Sequence, residues 1–424
     1  MSSSARIPSA TRTTGKVLSV VIVGGSLMGL MHGIMLLKLG HNVHILEKSP
    51  SQLRENQAAG ITTGPQVQQF FHEYDTEGIT SFSHALGAKL LDKNSKVRLY
   101  RKSDLYNTSW DALYYGLRTL FNEFSGPPHP LRNRHNAEVC VTSVFDCGKR
   151  VLKLVEFDES VSVEYEDLKK GFHRSLNADL VIAADGGSSD IRRMILPSAD
   201  LLRPYSGYLT WRGTIPENEV SEETRAILGP ENNAFVMNEG YIVVYIIPGL
   251  NGSCKNILTD KDGRVHRFSL PSGKLRPEVW NTQKAIAGSV LSSPYLELVN
   301  KIKRPFVTVI TDTYASQASF MGGKLLLVGD ALSLFRPHIA MSTNQAAFDC
   351  LAVRKMMTGE ISLAQWQKEV LQYSHACRLR SQTWGAFFQV GWFAYFNSGQ
   401  QMRMEMTAEM VHLLEGTFES SQLS

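Results

Sequence analysis

One short segment constrains this chain more than any other. Val23-Gly24-Gly25-Ser26-Leu27-Met28-Gly29 follows an apolar run, Ser19–Val23, and opens a stretch with helical spacing, Met28–Leu39. The pattern is G-x-G-x-x-G with Ser26 at the middle glycine. Glycine at the first position permits a tight turn, and at the third it lets helix and strand pack closely. The helix N-terminus then offers free N–H groups to a pyrophosphate. A second apolar run, Val43–Leu46, ends at Glu47, 23 residues beyond Gly24. A carboxylate near that distance is the usual ribose partner. Strand, turn, helix, strand and acid together predict a βαβ dinucleotide site at Gly24, Gly25, Ser26, Met28, Gly29 and Glu47. The bland alternative is a tight turn beside an ordinary exposed glutamate.

The apolar stretch from Val17 to Leu39 could pass for a membrane span. It is broken by Gly24, Gly25, Ser26, His32, Gly33 and Lys38, and a span needs about 20 mostly apolar residues. Membrane association is not expected. A second aromatic run, Trp384–Phe396, suits either a membrane surface or a helix face buried near a ligand. Hydrophobic residues make up 43% of the 424 and charged residues 20%. That excludes a wholly disordered or collagen-like chain. A net charge of +4 is too small to argue for nucleic acid. Five cysteines without C-x-x-C spacing argue against a disulfide scaffold and a zinc site, so no metal is expected. A reducing, cytoplasmic location fits best.

Two further motifs sit at the ends of apolar runs. Asp179–Ala184 leads into Asp185-Gly186-Gly187-Ser188-Ser189-Asp190-Ile191-Arg192, and Lys324–Val328 leads into Gly329-Asp330-Ala331. In doubly wound sheets ligands bind at the carboxyl ends of strands. Asp185 suits a structural turn or cofactor support equally. Asp330 suits a helix N-cap, a ribityl acceptor, or both. Further strands are expected near 139–145, 151–157 and 161–165, with β-type runs from Tyr208 to Ile247 around an acidic helical stretch at 217–228. Residues 55–125 carry short helical and loop signals, and helices dominate after Asn344.

These motifs, in this order, resemble the class A FAD-dependent aromatic monooxygenases, the p-hydroxybenzoate and salicylate hydroxylase family. The likeness is strongest to the 2,6-dihydroxypyridine 3-monooxygenase-like branch and its fungal relatives. It rests on GGSLMGL at 24–30, GYLTWRGTIPE at 207–217 and RPHIAMSTNQAA at 336–347. It departs from the family at P-x-x-G-x-G-x-N, where Ala340 and Ser342 replace both glycines between Pro337 and Asn344.

The resemblance implies an α/β fold: a Rossmann-like FAD-binding βαβ domain interleaved with a mixed β-sheet substrate domain, and a helical C-terminal region. The corresponding boundaries are a disordered tail at 1–16, a discontinuous FAD-binding domain at 17–80, 126–200 and 300–355, a substrate domain at 81–125 and 201–299, and C-terminal helices at 356–424. It implies FAD as cofactor and NADPH or NADH as co-substrate. O2 would hydroxylate or epoxidise an electron-rich aromatic or heteroaromatic small molecule through a flavin C4a-hydroperoxide, in specialised metabolism. A dehydrogenase or oxidase without oxygen insertion, a catabolic hydroxylase and a non-catalytic flavoprotein scaffold are the alternatives. Asp185, Arg192, Gly329, Asp330, Pro337, Ala340, Ser342 and Asn344 would join the first motif around FAD. A substrate wall is expected from Tyr208, Trp211, Phe235, Met237 and Tyr245. Arg212 would meet an acidic substrate or cap the sheet edge. His338 would serve as acid or base, or only as a structural residue. The oligomeric state stays open, a homodimer among the options.

Overall fold

The computed structural model describes residues 16–51, 60–80, 82–84, 87–91, 96–102, 105–124, 141–197, 201–228, 232–237, 240–242, 245–248, 257–270 and 273–397. Within these, the side chains of 87–91, 98–99, 101, 232–248 and 386–397 lie outside the description. The expected tail at 1–16 therefore falls outside it, except for Lys16, whose Nζ donates to Asp179 at 2.7 Å.

A six-stranded sheet organises the nucleotide side. Strand β1 (Ser19–Val23) lies at its centre, with Leu180–Ala183 on one flank and β2 (Asn42–Glu47) on the other, all parallel. Leu325–Leu327 continues the parallel set beyond Leu180–Ala183, and Ser143–Cys147 continues it beyond β2. Ser319–Phe320 closes one edge antiparallel. Its inner strands, β1, Leu180–Ala183 and Leu325–Leu327, are buried and almost wholly apolar rather than alternating, as strands covered on both faces are. Helix α1 (Leu27–Lys38) is buried from Leu27 to Leu37. A helix apolar all round belongs inside a core. It packs against the Ser342–Met357 helix and against α3 (Trp110–Asn122). Ser109 caps α3, its Oγ accepting from the Ala112 N–H at 3.0 Å.

Two other sheets build the opposite side. Tyr205–Arg212 pairs antiparallel with Tyr245–Pro248 and with Phe306–Thr311. In a separate sheet Asn232–Met237 pairs parallel with Gly87–Leu91. That pairing joins segments far apart in sequence. Two elements sit differently from the sequence expectation. Phe306–Thr311 belongs to the sheet of Tyr205–Arg212, and α3 packs on the nucleotide side. The reason is the same in both: a local apolar pattern shows that an element exists but not which partner covers it. The 55–125 region also holds strands where only helix and loop signals were legible, among them Gly60–Thr63 and Tyr106–Ser109.

The long helix Leu363–Asn397 is tied down by one carboxylate. Asp312, 1% exposed, accepts from Arg336 Nε at 2.7 Å, Arg378 Nε at 3.1 Å and Gln382 Nε2 at 2.8 Å. Arg378 and Gln382 belong to the helix, and Arg336 precedes the turn at Pro337–Ile339. Among the described residues no helix is long and apolar enough to cross a membrane.

Candidate functional site

The glycine turn is as tight as its spacing demands. Gly24 has φ of 104°, and a Cβ there would lie 2.4 Å from the Ala184 carbonyl oxygen. A Cβ on Gly29 would lie 1.9 Å from the Gly24 carbonyl oxygen. Neither position can hold a side chain without moving backbone. Ser26 occupies the N-cap of α1 but makes no side-chain capping bond. The first N–H groups of the helix thus keep no intrahelical partner, and partial positive charge gathers there. Glu47 is 7% exposed. Its Oε2 accepts from the Gly25 N–H at 2.8 Å and its Oε1 from the Ser49 N–H at 2.7 Å.

The three motifs meet at the carboxyl edge of the parallel sheet. Val23 aligns with Ala183, and Ala183 with Leu327, so the turns after them emerge side by side. Met28 lies against Gly329, where a Cβ would come 2.2 Å from Met28 Cε. Asp185 caps the short helix α4 (Asp190–Ile195), accepting from the Asp190 and Ile191 N–H groups at 2.7 and 3.1 Å and from Ser189 Oγ. Arg192, 3% exposed, braces the edge. Its Nη2 donates to the Gly187 carbonyl at 2.8 Å and its Nη1 to the Ala331 carbonyl at 2.8 Å.

Asp330 sits in a 3-10 turn, Gly329–Ala331, and caps nothing. Its carboxylate has no hydrogen-bond donor among the described residues. Burial pushes its pKa up to about 6, against the pull of Arg203 and Arg192. Behind it Asp349 is fully buried, with Oδ2 accepting from the Gly329 N–H at 2.8 Å. Burial lifts Asp349 to about 8, and the nearby Asp330 charge adds to the rise.

The turn from Pro337 to Ser342 forms the next wall. Ala340 adopts φ of 53° and ψ of 31°, a left-handed conformation that costs an L-residue about 1–2 kcal/mol. Ala340 and Ser342 are exposed, and Ser342 opens the Ser342–Met357 helix, whose N-cap Met341 makes no side-chain bond. Asn344 points inward instead. Its Oδ1 accepts from the Gln66 and Val67 N–H groups at 3.2 and 3.3 Å, holding the start of α2 (Pro65–Tyr74).

Beside the turn, the His338 Nε2 and the Tyr208 hydroxyl share a hydrogen bond. Gly385 of the long helix closes over them, since a Cβ there would lie 2.7 Å from His338 Nε2. Burial, with a smaller push from Arg336, drives the His338 pKa down to about 3, so the ring is neutral. Tyr208 and Trp211 do not share a face. Strand periodicity of two separates them, and Trp211 packs with Leu209, Val307 and Trp280 in a separate core. The expected common wall therefore fails for this pair. Strands carry Phe235, Met237 and Tyr245, whose side chains lie outside the described residues. Arg212 is held low by burial and reaches toward the Phe306 ring, 6.0 Å from its centroid.

Residues 17–65 match the FAD binding domain family, and 205–256 and 252–312 match the FAD binding domain-like family. The chain is 27% identical over 385 residues to 2,6-dihydroxypyridine 3-monooxygenase of Paenarthrobacter nicotinovorans, covering 84% of this chain and 88% of that protein. The chain is thus similar to FAD-dependent monooxygenases that act on aromatic compounds. The solved structure of 2,6-dihydroxypyridine-3-hydroxylase from Arthrobacter nicotinovorans superposes with a TM-score of 0.74 at 24% identity, covering 89% of this chain and 94% of that one. A salicylate hydroxylase substrate complex superposes with a TM-score of 0.64 at 15% identity, over 94% of this chain and 95% of that one. The expected fold class, a Rossmann-like FAD domain within a mixed α/β hydroxylase fold, is borne out.

The residues of the edge suit FAD on their own chemistry. A glycine cradle without room for side chains, an uncapped helix start and an undonated carboxylate at Asp330 match a dinucleotide's phosphates and hydroxyls. Two residues of this edge escape a motif reading. Asp349 is invisible because a mid-helix aspartate reads as solvated. Arg118 lies on α3 with its guanidinium carbon 3.7 Å from the Phe145 ring centroid. The available signal was the absence of any acid at the helical neighbours Tyr114, Tyr115, Phe121 and Asn122.

Proposed function

We propose that this chain is an FAD-dependent monooxygenase. It uses NADPH or NADH and O2 to place one oxygen atom on an electron-rich aromatic or heteroaromatic small molecule, by hydroxylation or epoxidation, in a specialised metabolic pathway. The carrying observation is the convergence of Gly24, Asp185 and Asp330 at adjacent ends of one parallel sheet, braced by Arg192 across the gap.

In this reading Gly24, Gly25, Ser26, Met28, Gly29 and the start of α1 take the pyrophosphate. Glu47 takes the ribose, and Asp330 accepts from the ribityl chain. Asp185 and Arg192 hold the edge in shape. The exposed backbone of Ala340 to Ser342 borders the ring, and Pro337 and Asn344 anchor that turn at either end. FAD, when bound, supplies the activation of O2 and the transfer of one oxygen atom. The protein's own part is to position the ring, exclude water and manage protons. A neutral imidazole bonded to a phenol can exchange hydrogen bonds with a ring hydroxyl brought against it and orient it for reaction. Tyr208 and His338 supply that pair, and Gly385 shields it from solvent.

The test begins with the visible spectrum of the purified protein. Flavin absorbance and NAD(P)H oxidation stimulated by an aromatic compound under air are expected. A colourless protein that takes up no FAD would refute the reading. His338→Ala should keep full flavin content while slowing substrate-dependent turnover by about 100-fold or more.

A further inference from the structure

Near the glycine turn lies a cation that no acid pairs with among the described residues. Phe145 extends from Ser143–Cys147, the strand next to β2. Its ring edge abuts the glycine turn, because a Cβ on Gly25 would lie 2.5 Å from Phe145 Cζ. Arg118 stacks on the face of the same ring, 3.7 Å from its centroid. Its Nη1 is buried and has no hydrogen-bond partner, and no carboxylate pairs with it among the described residues. Burial holds its pKa down, and only Tyr114 and Cys147 act against that.

The guanidinium is half-buried with Nη1 shut off from solvent, and a desolvated end of that kind normally has a counter-charge, because an unpaired one keeps its desolvation penalty. Glu47, on the same turn, commits both oxygens to backbone N–H groups. Phe145 links Arg118 to the Gly25 turn that opens the uncapped α1, a helix start that is itself partly positive. Two positive features flank that ring, and the acid at the turn, Glu47, is engaged by backbone N–H groups, so the pair is complementary to an anion. Arginine's planar fork suits two phosphate oxygens better than a lysine ammonium does.

We propose that Arg118, stacked on Phe145 beside the Gly24–Gly29 turn, is the cationic arm that binds the pyrophosphate of the dinucleotide. The stack fixes the guanidinium plane, so little freedom is lost when the phosphate arrives. This rests on the FAD reading above and assigns the counter-charge within it.

The experiment titrates full-length apoprotein with FAD, followed by flavin fluorescence, and in parallel with ADP, followed by calorimetry. It compares wild type with Arg118→Met and Arg118→Lys. Arg118→Met should weaken both ligands at least tenfold, about 1.4 kcal/mol. Arg118→Lys should lie between wild type and Arg118→Met. The melting temperature of the Arg118→Met apoprotein should be equal to or above that of wild type, because a partly desolvated charge without a counter-charge is gone. A purely structural arginine would lower it. Wild type that binds no FAD overturns the function proposed above. Wild type that binds FAD, with either variant binding FAD and ADP as tightly, overturns the role of Arg118 alone. So does an Arg118→Met apoprotein that melts well below wild type. Should Arg118→Met not fold, Arg118→Lys, which keeps the charge, decides the matter by the same titration.

Discussion

Single atoms set the shape of the nucleotide turn. Gly29 faces the Gly24 carbonyl so closely that Gly29→Ala must push the helix off the strand. Overpacking against backbone costs about 1–3 kcal/mol or more, so thermal unfolding of this variant should show a clear loss and the purified protein should lack flavin. Ala340 presents the opposite case. It holds a left-handed conformation that glycine adopts freely. Ala340→Gly should be neutral or stabilising by up to about 1 kcal/mol in urea unfolding, since relief of strain is partly offset by unfolded-chain entropy. The glycine positions could be read from spacing because a clash with backbone leaves no other residue possible. The left-handed Ala340 could be suspected only through the family pattern it departs from. Asp349 could not be read at all, since its depth depends on the tertiary fold. Its pKa, raised by burial to about 8, has a stability consequence. A carboxyl with a raised folded pKa is most favourable below its unfolded value near 4 and loses that contribution as pH climbs toward 8. The apoprotein's melting temperature should therefore fall between about pH 4 and pH 8, and Asp349→Asn should flatten that slope. An identical slope in the variant would show that other groups control it.

Elements are placed by a few polar anchors laid over apolar packing. Arg192 ties the D-G turn to the G-D turn through backbone carbonyls, and Asn344 ties the start of α2 to the Ser342–Met357 helix. Asp312 fastens the long helix to the turn that carries His338. Removing one partner of a buried ion pair leaves the others uncompensated and costs about 3–5 kcal/mol. Asp312→Ala should lower the urea midpoint accordingly and open the Tyr208–His338 pair to solvent, read as faster hydrogen exchange along 336–342 and 378–385. Strands and helices bordering the three motifs were legible as apolar runs with glycine breaks. The pairing of Phe306–Thr311 with Tyr205–Arg212 was not, because antiparallel partners nearly a hundred residues apart leave no local trace. A shared aromatic wall also misjudged Trp211, which strand periodicity, at an offset of three from Tyr208, sends to the opposite face.

At the scale of the whole molecule, the parallel sheet and the Tyr205–Arg212 sheet bring the three-motif edge and the Tyr208–His338 pair together with the turn from Pro337 to Ser342. The order of the motifs made that architecture recognisable from sequence through family likeness. The identity of the substrate was not recoverable, because sheet aromatics at alternating positions serve core and wall alike. The central claim is that oxygen gas, activated within this fold, is the source of the inserted atom. The direct measurement is turnover under isotopically labelled oxygen gas, with a substrate found by its stimulation of NAD(P)H oxidation. The account predicts one labelled oxygen atom in each product molecule and none from labelled water. Product labelled only from water, or oxidised without gaining oxygen, would contradict it.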